Sequence, residues 1–363
     1  MRESWKYRAA ECGISRRAFF ARAGMGVAGI ALARGRGGAQ EGPRAALALA
    51  RNHERRAAVR TAVDLLGRMD YGGRDIYLKA NFNSPDPCPA TTHPDTIESV
   101  VEILRAFNCG PITLVERSGM GTTHEIWERL GVPALARRLE LRLMDLDELP
   151  AEKWRKEELP DSNWKDGIEV PGFLDRDAFV VQICNLKTHR FGGVFSASLK
   201  NSVGLVAKYG RLNPDYNYMS ELHASPHQGA MIAEINLAYA PKLIVMDAVQ
   251  VFVAGGPEAG DVATPEVVMA SADRVAIDAA GVALLRLHGQ GPDQPLIGRT
   301  VYEQDQVRRA VELKLGAPSA DGIRFLTASA ADYGLASELE SILREAPKAK
   351  QAKYETGDTY LFR

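Results

Sequence analysis

The run Ala178-Phe179-Val180-Val181-Gln182-Ile183-Cys184 is apolar at nearly every position. A strand with one wet face alternates polar and apolar side chains. A strand apolar on both sides belongs inside a sheet covered on both faces, which is the habit of parallel sheets. The neighbouring segments repeat the pattern. Ile76-Tyr77-Leu78-Lys79-Ala80 predicts a strand that runs into a proline-rich loop from Asn81 to Pro94. Pro94 suits the first turn of a helix, and Ile97, Val100, Val101 and Leu104 give that helix an apolar stripe. Cys109-Gly110-Pro111 ends it, and Ile112-Thr113-Leu114-Val115-Glu116 is the next strand. This is a β-α-β unit.

Strands are also expected at Leu141–Met144, Leu243–Asp247, Val267–Ala270 and Ile323–Leu326. Helices are expected over 40–70, over 123–138 with a break at Gly131-Val132-Pro133, and over 227–239, 273–287, 300–314 and 334–344. Residues 146–168 are charged and read as a surface excursion. The fold class is therefore α/β: a mostly parallel sheet flanked by helices, built as one unit or as two α/β lobes with the site between them. The expected division is a signal at 1–39, a helical lead-in at 40–73, the α/β domain at 74–345 and a polar tail at 346–363.

The first segment carries its own chemistry. A basic start leads to Ser15-Arg16-Arg17-Ala18-Phe19-Phe20 and then to the apolar, Gly- and Ala-rich stretch from Ala23 to Ala33. As a helix that stretch reaches about 16 Å, short of the about 30 Å of a hydrocarbon core. Charge, short apolar run and small residues in that order make an export signal, and the paired arginines indicate the twin-arginine (Tat) route. Ala33 and Ala39 are the candidate cleavage points. The expectation is export to the periplasm, contact with the Tat translocase in transit, and no permanent membrane anchor.

A formal net charge of −1 gives no reason to expect nucleic acid as a partner. Cys12 falls in the signal; Cys88, Cys109 and Cys184 remain, as one disulfide or as free thiols, with no C-x-x-C.

The polar residues that stand out follow the strands, where open α/β sheets bind ligands. Lys79, Asn81 and Asn83 precede Thr92-His93-Pro94, and His93 is a candidate catalytic group. Glu116-Arg117-Ser118-Gly119-Met120-Gly121-Thr122-Thr123-His124 joins a strand end to a helix start; His124 reads as a ligand or as a cap. The densest run is Asn185-Leu186-Lys187-Thr188-His189-Arg190-Phe191-Gly192-Gly193, followed by Ser198, Lys200 and Asn201. A desolvated Lys187 or Lys200 serves as nucleophile or base, and His189 as proton carrier or metal ligand.

His223 and His227 are four apart, but Pro226 interrupts a helix between them, so a metal would need ligands from several loops, such as His189 with His223 or His227, with His124 as a further candidate. Asp247 ends a buried strand and needs a partner. Ser271 and Asp273 read first as helix-cap residues, and otherwise as cofactor contacts with Lys79, Asn81, Asn201 and Asp247.

Lys79-Ala80-Asn81, Thr92-His93-Pro94, Asn185-Leu186-Lys187-Thr188-His189, Ser198-Leu199-Lys200-Asn201 with Gly204, Asp247, Gly256-Pro257, and Ala270-Ser271 with Asp273, Ala276 and Asp278 resemble the family called domain of unknown function 362, over about residues 74–330. Some members carry a ferredoxin-type iron–sulfur module; its cysteines are not in this sequence. A weaker similarity, to the nickel-pincer lactate racemase group, implies a nickel-bearing nucleotide cofactor between two α/β domains. Its positions here would be His124, His189, Lys200, and His223 or His227. The functional expectation is an exported metal- or cofactor-dependent enzyme acting on a small anionic substrate. The alternative is a non-catalytic periplasmic ligand-binding or accessory protein.

Overall fold

The computed structural model describes residues 44–175, 177–289 and 296–347. The expected signal, Cys12 and the tail from residue 348 lie outside them. In chain order the elements are β1 (Ala45–Arg51), α1 (Arg55–Leu66), β2 (Ile76–Lys79), α2 (Pro94–Ala106), β3 (Ile112–Glu116), α3 (Thr123–Arg129), α4 (Val132–Arg138) and β4 (Arg142–Asp145). Then come β5 (Trp154–Glu157), β6 (Ile168–Pro171), β7 (Val180–Thr188), β8 (Phe195–Ser196), α5 (Ser198–Asn201), α6 (Tyr218–Ala224) and α7 (Gln228–Ile235). The chain continues through β9 (Leu243–Gly255), β10 (Gly260–Ala263), β11 (Val267–Ser271), α8 (Arg274–His288), α9 (Asp305–Glu312), β12 (Ile323–Thr327) and α10 (Ala330–Leu343).

Ten strands form one sheet, in the order β12-β1-β11-β9-β7-β2-β3-β4, with β8 on β7 and β10 on β9. β1 runs parallel to β12, and β9, β7, β2, β3 and β4 are mutually parallel neighbours. β11 runs against both β1 and β9. The carboxyl ends of β2, β3, β7 and β9 therefore open on one edge. This is the expected α/β class with a mostly parallel sheet. The described residues make a single compact unit, so the alternative of two lobes is not formed.

β1, β7, β9 and β11 each feed two cores. In β7, Val180, Cys184 and Leu186 pack into one, and Val181 and Ile183 into the other. Side chains that alternate across a pleat and are buried on both sides need cover on both faces. α1 and α2 cover one face; α7, α8 and α10 cover the other.

Three expectations change. Ala45–Arg51 is a strand between β12 and β11 rather than the start of a helix. Its Ala and Leu residues favour a helix locally, but Leu47 and Leu49 fill one core while Ala48 and Ala50 fill the other. The 146–168 segment is not a surface excursion. It leads through the antiparallel pair β5 and β6, with Trp154 and Trp164 buried in the core. The strand expected to end at Asp247 continues to Gly255, because β10 folds back on it. Cys88, Cys109 and Cys184 are free thiols.

Candidate functional site

Lys79 ends β2 and Glu116 ends the adjacent β3, so parallel pairing sets their side chains at one sheet edge. Lys79 is 1% exposed, and its Nζ lies 2.7 Å from Glu116 Oε1 and 2.9 Å from Oε2. It also donates to the Ala80 carbonyl and, at 3.2 Å, to Asn201 Oδ1. Glu116 accepts further from the backbone N–H groups of Phe82 and Arg117. Burial works against the Lys79 charge and the Glu116 carboxylate sustains it. The result is a closed ion pair whose donors are committed. Asn201 locks it by donating to the Lys79 and Ile183 carbonyls, 3.3 Å each.

Beside this pair opens a cavity of about 170 Å³. Lys187, His189, Lys200 and His223 reach it, with Met219 and Leu222 forming apolar wall. Glu116, already paired, is the single acidic side chain on the lining among the described residues. Phe191 and Met120 also line the cavity and are 46% and 42% exposed, which places them at its mouth.

Lys187 extends from the end of β7 and is 2% exposed. Its Nζ donates to the Ala90 carbonyl. The Ala90 loop is held in place: Thr92 N–H donates to the Asn81 carbonyl at 2.9 Å, and Asn185 Nδ2 to the Thr91 carbonyl at 3.1 Å. Burial without a carboxylate contact pulls Lys187 down to about 7. Lys200, on the short helix α5, donates from Nζ to the Gly192 carbonyl at 2.9 Å. Burial, then the Lys187 cation, pulls it down to about 7 as well. Asp278 fixes α5 by accepting from the N–H groups of Ser198 and Leu199, at 2.8 and 3.0 Å.

His189 accepts the Phe191 N–H on Nδ1 at 3.2 Å. Burial holds it well below the ordinary histidine range, and Lys200, Lys187 and His223 add to the depression. It is a neutral imidazole with the proton on Nε2. A neutral imidazole beside two amines of depressed pKa has the parts for proton transfer near neutrality.

The chain belongs to the family described as Domain of unknown function (DUF362). The family model matches residues 76–283, more than half of the chain, and spans every residue of the cavity named above. No curated protein and no solved structure matches the chain. Within this DUF362 chain the structure sorts the sequence candidates. Lys79, Asn81, Lys187, His189, Lys200, Asn201 and His223 line one cavity.

The other candidates do not join them. His93 caps α2, its Nδ1 accepting from the Asp95 N–H at 3.1 Å. Asp247 is buried in its own cluster, taking Arg55 Nε at 2.8 Å, Thr96 Oγ1 at 2.6 Å and the Val249 N–H at 3.1 Å. Ser271 accepts from the Asp273 N–H and donates to the Ala46 carbonyl. Asp273 caps α8 through the N–H groups of Val275 and Ala276 and takes that of Ala317. These are capping and packing contacts, and none of the four side chains lines the cavity.

The histidine set also divides. His124 lies in a separate depression with Glu125 and Arg129, and His227 precedes α7 and is exposed. Among the described residues no three His, Cys, Asp or Glu side chains converge as metal ligands. Of the positions that the racemase resemblance implies, His189, Lys200 and His223 line one cavity, and His124 and His227 lie outside it. Sequence reasoning passed over Glu116 as a site residue. Its signal was a lone carboxylate at the end of an apolar strand, adjacent in the sheet to a strand ending in Lys79.

Proposed function

We propose that the protein is an exported enzyme that binds a small organic anion in this cavity and acts on it with Lys187, Lys200 and His189. The observation that carries the reading is the charge count. Besides the paired Lys79, the amines of Lys187, Lys200 and Lys208 and the Arg117 guanidinium line one small cavity, and among the described residues its one lining carboxylate, Glu116, is already neutralised by Lys79. An anion placed there supplies the missing countercharge and favours the protonated amines. The apolar wall at Met219 and Leu222 suits the carbon skeleton of an organic anion better than an inorganic one. The volume limits it: about 150 Å³ accommodates a benzene-sized ligand. His189, neutral near pH 7, is suited to giving or taking one proton.

Export rests on Ser15-Arg16-Arg17 and the apolar stretch after it. Among the described residues no helix is long and apolar enough to cross a membrane.

Calorimetric titration with lactate, acetate and pyruvate tests the binding. Lactate and pyruvate should bind, and Lys187→Met or Lys200→Met should weaken them at least tenfold, the scale of about 1.4 kcal/mol. Affinity unchanged in both variants would refute the reading. A purely binding protein would hold its anion without ever converting it, so turnover of a bound anion separates the enzyme from the non-catalytic alternative.

A further inference from the structure

The cavity holds two kinds of buried lysine. Lys79 is locked: Glu116, Ala80 and Asn201 engage its ammonium, and an amine in that state has no lone pair to offer. Lys187 is nearly as buried, yet its recorded partner is one backbone carbonyl, that of Ala90. Among the described residues no carboxylate pairs with it, although Asp86 and Glu116 act on its charge from a distance. Its neighbours on the cavity wall are His189 and Lys200. A desolvated lysine beside a second cation is the arrangement that makes an amine nucleophilic near neutrality.

We infer that Lys187 takes the carbonyl group of a 2-oxo carboxylate as a covalent imine, with Lys200 holding the carboxylate beside it. This deepens the small-anion reading and rests on it. The substrate class follows from three constraints. An amine nucleophile calls for an electrophilic carbonyl. The second amine calls for an anionic group within the same cavity. A volume of about 170 Å³ requires the two groups to be close together on a short skeleton. A carboxylate directly bonded to a ketone or aldehyde carbon meets all three.

The step balances without a co-reactant. The Lys187 lone pair forms an N–C bond to the carbonyl carbon, and the carbonyl π pair moves to oxygen. A proton passes from the amine nitrogen to that oxygen, with His189 as the adjacent carrier, giving a carbinolamine. The hydroxyl takes up a proton and the C–O bond breaks, releasing one water; the nitrogen then gives up its remaining proton, which replaces the one taken up, and the imine is left. Nothing is oxidised or reduced. The fixed Ala90 carbonyl engages one N–H of Lys187, which orients the amine. Burial that lowers Lys187 to about 7 leaves a large neutral fraction at physiological pH.

Reductive trapping tests this. The full chain is incubated with pyruvate, treated with sodium cyanoborohydride and mapped by peptide mass spectrometry, with lactate as the matched anion lacking the carbonyl. The expected result is one reduced pyruvyl adduct per chain, on Lys187, suppressed by excess lactate. Lys187→Arg keeps a cation at the position and should still bind lactate while losing the adduct. Pyruvate that binds by calorimetry but leaves no adduct overturns the imine and leaves the anion site standing. So does an adduct spread over surface lysines, or one undiminished in Lys187→Arg. If neither pyruvate nor lactate binds, the anion reading fails and takes the imine with it.

Discussion

Gly204 lies directly against the Glu116 carboxylate. A Cβ at that position would press on Glu116 Oε1 and come within 2.8 Å of Lys79 Cε and 2.9 Å of Lys79 Nζ. The turn that carries Gly204, Ser202–Leu205, follows Asn201 without a break. The Lys-Asn-x-x-Gly run thus supplies a clamp, Asn201, and a cover that only a glycine allows. Gly204→Ala should lower stability by about 1–3 kcal/mol through overpacking. Urea unfolding reads the change, and an undisturbed midpoint would mean that the ion pair has room the geometry does not show.

Stability should have two opposed pH limbs meeting near neutrality. Lys187 and Lys200 are pulled down to about 7 in the folded chain, against about 10.4 for a free lysine. Between those values the unfolded chain holds more protons, so stability rises with pH from about 7 toward 10. Asp278 is pushed up to about 7 by burial, against about 3.9 when free. Between those values the folded chain holds the extra proton, so this group's contribution falls as pH rises toward 7. Lys187→Met should flatten the alkaline limb and spare the acid one. Urea midpoints across the pH range check this; an alkaline limb unchanged in the variant would contradict a depressed Lys187.

Asp273 separates capping from binding. It accepts from three backbone N–H groups and lines no part of the cavity. Asp273→Ala should cost about 0.5–2 kcal/mol, as for loss of a helix cap, while lactate affinity stays at the wild-type value. Loss of affinity in a variant that remains folded would return Asp273 to the ligand site.

Export is tested at the paired arginines. Arg16→Lys with Arg17→Lys should hold the precursor in the cytoplasm, whereas the wild-type chain reaches the periplasm as a shortened product. Cell fractionation with mass analysis reads both outcomes. Equal periplasmic yield from the two chains would remove the Tat assignment.

The sheet was legible wherever a segment's own pattern matched its burial. The apolar run at β7 predicted cover on both faces, and both cores meet it there. Ala45–Arg51 was not legible, because its local preference is helical and its strand form depends on β11 and β12, more than two hundred residues away. Lys187, His189 and Lys200 were legible because they crowd within 14 residues of sequence at and after the end of one apolar strand. Their separation from His93, Asp247 and Asp273 was not. In sequence all read as strand-end or helix-start residues, but only contacts across the fold decide which ones face the cavity and which cap or pack. Glu116 was hidden for the same reason. Its meaning depends on Lys79, which sequence places 37 positions away and parallel pairing brings into contact.

The most direct test of the anion site is a crystal structure of the chain soaked with lactate. Density for one lactate in the cavity is predicted, its carboxylate within hydrogen-bond distance of Lys187 Nζ or Lys200 Nζ and its methyl group toward Met219 and Leu222. Lactate bound elsewhere, with only water against both amines, would contradict the account.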